Sequence, residues 1–170
     1  HMALLGNSLQ QIASEKAGII KPGIPVLVGE TLPETQPIFE AKAEQEQSAL
    51  FVAPHLYAIE EVQLSMLQLH LRLRHLASQK VTDYTTTLAG IYLQYNLRTV
   101  VASCQLLQLL GWPLQPGTIA KGVAQAATLT GLGGRWQVLQ LHPALVLDVA
   151  HNVNGIEALL LQLKQLQVQH

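Results

Sequence analysis

The sequence predicts an α/β protein: a parallel sheet with helices, an antiparallel meander beside it, and, past a glycine cluster, the start of a second α/β domain. Three observations carry that prediction. Two short apolar runs, Ile24-Pro-Val-Leu-Val28 and Ala49-Leu-Phe-Val52, bracket a helical segment, as in a parallel βαβ unit. Leu67, Leu69, Leu71 and Leu73 alternate with Gln68, His70, Arg72 and Arg74, a period-two strand with one polar face. Thr130-Gly-Leu-Gly-Gly134 then breaks the pattern, and a strand–strand–helix series follows it.

Each element has its own signal. Ser8-Leu-Gln-Gln11 is a capping box opening a helix that carries Leu9, Ile12, Ala13, Lys16 and Ala17, and Gly18 suits the left-handed position past its end. Pro22-Gly23 turns the chain into the first strand. Thr31-Leu-Pro-Glu34 is a second capping box, predicting a helix to about Ser48. Strands are expected around Leu56–Val62 and Val81–Thr85, flanking the alternating run. Leu88–Leu110 is the longest helical stretch, stopped by Gly111-Trp-Pro113, and a shorter helix follows over about Pro116–Ala126. Beyond the glycine cluster, Trp136–Leu141 and Leu145–Val149 read as strands, the second as a buried one. Ile156, Leu159, Leu160, Leu163 and Leu166 stripe a final helix. Two strands and a helix cannot close a core, so the chain is expected to start and stop inside domains, residues 1–133 in one and 134–170 in another. Exposed apolar patches, open to self-association, are expected where those pieces end.

Composition narrows the function. The chain is 49% hydrophobic and 12% charged, with a net charge of −1. That supports a sizeable core and argues against non-specific binding to nucleic acid or to anionic membranes. The single cysteine, Cys104, allows no disulfide framework and no zinc cluster, and its apolar helical setting reads as core. No apolar stretch reaches the ~20 residues of a membrane span, and no signal peptide is visible, so a cytoplasmic protein is expected. His70 and His75 read as solvated residues rather than a metal pair, since the sequence sets no carboxylate beside them.

Three groups could carry chemistry. Glu15-Lys16-Ala-Gly18 puts a lysine in a last helical turn among small residues, where a cation is favoured on dipole grounds alone. Gly134-Arg135 stands immediately before a strand. Asp148-Val-Ala-His151-Asn152 ends the Leu145–Val149 strand, where open α/β sheets place their ligands, although Asp and Asn also cap helices. Gly131-Leu-Gly-Gly134 lacks the Lys-Ser/Thr of a phosphate loop and precedes a strand, so it reads as a hinge.

The order of these groups carries a resemblance. His1-(x)4-Gly6, followed by Ile12-Ala-x-Glu15-Lys16-Ala-Gly-Ile-Ile-Lys-Pro-Gly-x-Pro25-Val, resembles the segment after the ATPase core of folylpolyglutamate synthase/dihydrofolate synthase, in the Mur ligase superfamily. Gly90-Ile-Tyr92-x-x-x-Asn96, Gly134-Arg135-Trp-Gln and Leu147-Asp148-Val-Ala-His151-Asn152 are similar to later motifs of the same family, in the same order. Leu93 stands where the family has Gln, and Val153 where it has Pro.

The resemblance implies the later part of a Mur-type ATP-binding domain over residues 1–133 and the first part of a Rossmann-like glutamate-ligase domain over 134–170. It implies an ATP-dependent amide ligase. ATP phosphorylates a carboxylate of dihydropteroate or folate, and L-glutamate attacks the acyl phosphate. Lys16 falls on a carbamylated lysine that supports Mg2+, and His1 on a metal-binding histidine, which favours native sequence over a cloning remnant for His1-Met2. Asn96 is implied at the adenine, Arg135 at the phosphates and Asp148 at the ribose hydroxyls. His151 would sit by the phosphates and incoming substrate, with Asn152 beside it. The family's Gly-Lys-Ser/Thr loop and catalytic Glu are expected before His1, so this chain alone is expected not to turn over ATP, and the parent enzyme is expected to be a monomer. Two other readings stand beside this one: a truncated nucleotide-binding or interaction module, and a Mur-type ligase with a different acceptor.

Overall fold

The computed structural model describes residues 8–167, so the candidate metal residue His1 lies outside the described residues. The chain divides into two compact units, one up to Leu56 and one from Tyr57 onward.

In the first unit, α1 (Leu9–Ala17) begins as predicted, with Ser8 Oγ accepting the Gln11 N–H at 3.2 Å. Gly18 does not take the left-handed conformation expected of it; its φ is −58°. A Cβ there would lie 3.1 Å from the Glu15 carbonyl oxygen, so glycine is favoured by close approach instead of by positive φ. The chain turns at Gly23 (φ +69°) into β1 (Val26–Val28). α2 spans Gln36–Gln45 and leads to β2 (Leu50–Val52). β1 and β2 pair in parallel, Val26 opposite Leu50 and Val28 opposite Val52, which completes the predicted βαβ unit.

The second capping box does not form. α2 starts at Gln36 with Pro37 in its first turn, and the Thr35 hydroxyl bonds back to the Leu32 N–H (3.0 Å) and C=O (3.2 Å). A helix opened at Thr31 would bury Pro37 in its interior, where the ring clashes one turn back and supplies no donor. α1 packs on α2, and the buried residues of the two helices, Ala13, Ala17 and Ala43, are small enough for close packing. A single turn, α3 (Ala53–Leu56), ends the unit.

The second unit opens on an antiparallel meander of β3 (Tyr57–Leu64), β4 (Leu69–His75) and β5 (Val81–Thr86). β4 is the alternating strand: Leu69, Leu71 and Leu73 are fully buried. Leu67 belongs to the preceding turn, closed by the Ser65 N–H on Gln68 O (2.9 Å). On the polar face Arg72 bridges Glu61 (2.6 Å) and Asp83 (2.8 Å), pairs exposed enough to add little stability. His70 lies 3.4 Å from Asp83 and His75 bonds Ser78 Oγ at 2.8 Å, so both have side-chain partners, and His70 does have a carboxylate nearby. Strand pairing of β4 with β5 brings Asp83 opposite Arg72, a neighbour that linear spacing did not reveal.

α4 runs over Leu93–Leu109, starting at Leu93 because Gly90 to Tyr92 form a turn closed by the Leu93 N–H on Gly90 O (2.9 Å). α5 (Pro116–Ala124) and α6 (Ala126–Thr130) follow, and Gly131 (φ +66°) caps α6. Leu71, Leu73 and Tyr84 of the meander pack with Leu97, Val101 and Val123 of the helices as the main core.

The last elements are β6 (Gln137–Leu141), β7 (Ala144–Leu147) and α7 (Val153–Gln167). β6 and β7 form an antiparallel two-stranded ribbon. Val138, Val146 and Leu159 pack against Ala89, Trp136 and Leu166. Leu145 and Leu147, on the face opposite Val146, remain exposed, as do Leu139 at the bulge and Leu141 at the end of the ribbon, which corrects the reading of Leu145–Val149 as a buried strand. Ile156, Leu160 and Leu163 of the predicted stripe are exposed as well, so the expected apolar surface is present. Among the described residues no helix is long and apolar enough to cross a membrane.

Candidate functional site

Asp148 lies just past the end of β7, and three donors converge on its carboxylate. The Tyr92 hydroxyl (2.9 Å) and the Trp136 N–H (2.7 Å) donate to Oδ2, and the Ala150 N–H (2.8 Å) donates to Oδ1. A carboxylate offers about four acceptor positions, so one on Oδ1 remains for a further donor. Burial first, then the bond to Asp148 and its negative charge, push the Tyr92 phenol well above the ordinary tyrosine range, while Arg135 acts in the opposite sense. The hydroxyl therefore stays protonated and donating.

Backbone geometry brings Arg135 to the same place. Gly134 has φ +71°, and its carbonyl accepts the Val149 N–H at 2.7 Å, so the segment before β6 lies against the segment after β7. Arg135 lines a cavity of about 640 Å³ together with Gly131, Gly133 and Trp136. His151 Nδ1 lies 3.0 Å from the Val149 carbonyl; only a protonated Nδ1 can donate there, which leaves Nε2 of a neutral imidazole as an acceptor. The Asn152 side chain is committed to capping: its Oδ1 accepts the Gly155 N–H at 2.8 Å, and its carbonyl accepts the Ile156 N–H at 3.0 Å, opening α7.

Asn96, in the first full turn of α4, lines a separate, mainly apolar cavity of about 340 Å³, and Leu88 borders both this cavity and that of Arg135. Cys104 lines the Asn96 cavity too. Burial raises its thiol pKa, which keeps it a thiol and fits its reading as a core residue. Lys16 belongs to the first unit, where it lines a cavity of about 620 Å³ with Glu15 and Glu30 beside β1. Two carboxylates are hard oxygen donors suited to a cation such as Mg2+, whereas an ammonium is not a ligand. Among the described residues, no cluster of three or more His, Cys, Asp or Glu could hold a metal.

The second unit thus gathers Arg135, Asp148 and His151 around one turn and sets Asn96 one helical turn beyond Tyr92. Two contributors escaped the sequence reading. Tyr92 stood inside a quoted motif without an assigned role, and Trp136 contributes through its backbone.

No protein-family model matches the chain. The folylpolyglutamate synthase of Lacticaseibacillus casei is 29% identical over 167 residues, 98% of this chain and 38% of that protein. The dihydrofolate synthase/folylpolyglutamate synthase of Bacillus subtilis (strain 168) is 31% identical over 169 residues, 97% of this chain and 37% of that protein. Among solved structures, an FPGS–AMPPCP–folate complex superimposes with a TM-score of 0.85 at 29% identity, covering 98% of this chain and 40% of that one. By sequence and by fold, the homologues and structural neighbours of this chain are folylpolyglutamate synthase/dihydrofolate synthase enzymes, of whose length it spans a little over a third.

Proposed function

We propose that the chain supplies part of the nucleotide site of an ATP-dependent ligase that joins L-glutamate to folate or dihydropteroate through an acyl phosphate. The observation that carries this reading is the turn at Asp148. A fixed carboxylate keeps one acceptor position open, the Arg135 cation stands nearby, and His151 is held through Nδ1 on the Val149 carbonyl. A ribose diol needs an acceptor, and phosphoryl oxygens need a cation. Asn96, on the rim of an apolar cavity, offers an amide to the edge of a flat base. The relatives' names, and a neighbour solved with AMPPCP and folate, support the substrate classes.

In this reading residues 1–133 belong to the ATP-binding domain and 134–170 open the glutamate-ligase domain, with Gly131 and Gly134, both at positive φ, at the boundary. Lys16, as a carbamate formed with CO2, would help hold Mg2+ beside Glu15 and Glu30, and His1 would be a further donor. Bound Mg2+ would neutralise charge on the nucleotide phosphates. The reaction belongs to the cytoplasm.

Calorimetric titration of the chain with AMPPCP tests the site. Binding is expected, weakened about tenfold or more by Arg135→Ala or Asp148→Asn, since each removes a charged partner. Ligation of L-glutamate to dihydropteroate or tetrahydrofolate by this chain alone is not expected. Binding that ignores both substitutions, or no binding at all, sinks the nucleotide reading.

A further inference from the structure

Helix α7 buries the wrong residue. Leu160, Leu161 and Leu163 are exposed, whereas Gln162 between them is 0% exposed. Burying an amide is unfavourable unless both of its ends are bonded, and here both are. Gln162 Oε1 accepts the Ile91 N–H at 2.7 Å, and Gln162 Nε2 donates to the Ala89 carbonyl at 2.8 Å. The amide thus grips the backbone on either side of Gly90, across more than seventy residues of sequence.

Gly90 passes that grip on. A Cβ at Gly90 would lie 2.9 Å from Tyr92 Cε1 and 3.0 Å from Cζ, so the phenol ring lies directly over the gripped turn. The same ring ends in the hydroxyl that donates to Asp148 Oδ2 at 2.9 Å. We propose that Gln162 is a positioning residue for Asp148: its amide fixes the Ala89–Ile91 turn, the turn sets Tyr92, and the Tyr92 hydroxyl orients the carboxylate. The consequence for nucleotide binding rests on the function proposed above; the positioning itself does not.

Amide exchange separates the links. The Ile91 N–H reports the Gln162 bond directly, and the Trp136 N–H, bonded to Asp148 Oδ2, reports the far end. In Gln162→Leu, protection is expected to fall about tenfold or more at both amides, because the turn loses two buried partners. A loss confined to Ile91, with Trp136 protected as in the parent, overturns the proposal. Gln162→Glu covers the case in which the leucine variant fails to fold. A carboxylate cannot donate to the Ala89 carbonyl, but a protonated carboxyl both donates and accepts, so protection at both amides, corrected for intrinsic exchange, is expected to return as pH falls. If it returns at neither, the proposal fails. ADP titration of the same proteins reads the nucleotide consequence. If the parent chain does not bind ADP, the nucleotide reading falls, while the Trp136 exchange still decides the positioning.

Discussion

Gly134 and Val149 are bonded and in tight contact: the Gly134 carbonyl accepts the Val149 N–H at 2.7 Å, and a Cβ on Gly134 would lie 2.8 Å from Val149 Cγ1. With φ +71°, residue 134 disfavours any side chain for two independent reasons. Gly134→Ala is expected to lose at least about 2 kcal/mol, from left-handed strain and from the clash together. Val149 is exposed, so Val149→Ala alone is expected to be near neutral. The double variant recovers the clash and keeps the strain. Urea midpoints of the four proteins check this, and strict additivity of the two substitutions would refute it.

Asn152 caps α7 through Gly155. Asn152→Ala is expected to cost about 0.5–2 kcal/mol, and Asn152→Asp almost nothing. Thermal unfolding followed by circular dichroism distinguishes a cap from a residue needed only by a ligand, which would leave both variants at parental stability.

Tyr84 makes stability fall in alkali. Burial pushes its phenol from about 10 to about 12. The folded state therefore keeps the proton after the unfolded chain has lost it, so this contribution is intact below pH 10 and drains away as pH rises toward 12. The slope approaches about 1.4 kcal/mol per pH unit for one group, and the raised phenols of Tyr57 and Tyr92 act in the same direction. Denaturant titrations from pH 8 to 11 should show the decline, shallower in Tyr84→Phe. An unchanged slope in that variant would contradict the assignment.

Leu73 and Leu147 are the same residue in two strands, the first fully buried and the second exposed. Leu73→Ala is expected to cost about 3–5 kcal/mol and Leu147→Ala within about 0.5 kcal/mol. Equal losses, measured by chemical denaturation, would mean that the ribbon is covered in solution.

These contrasts show what the sequence could disclose. The alternation through Leu69–Leu73 marked a half-buried strand because period two says which face is covered. The run Leu145–Val149 has no such alternation, and apolar character alone does not say whether anything covers it. Ser8 announced its helix, but Thr31 did not, because Pro37 overrode the capping pattern. At the candidate site, Arg135, Asp148 and His151 could be named from motif order. The partners that fix them are long-range: Tyr92 meets Asp148 across 56 positions, and Gln162 meets Ile91 across 71. A polar residue committed to one distant bond looks, in sequence, like any solvated one.

The uncovered face of the β6–β7 ribbon also sets how this chain behaves with temperature. Contact between apolar surfaces is driven near 25 °C almost entirely by entropy and weakens on cooling, while sulfate strengthens it. With Leu145 and Leu147 side by side on that face, and Leu139 and Leu141 exposed on the partner strand, the chain should be most dispersed in the cold at low sulfate, and warming or salting should gather it through the ribbon before the meander core begins to open.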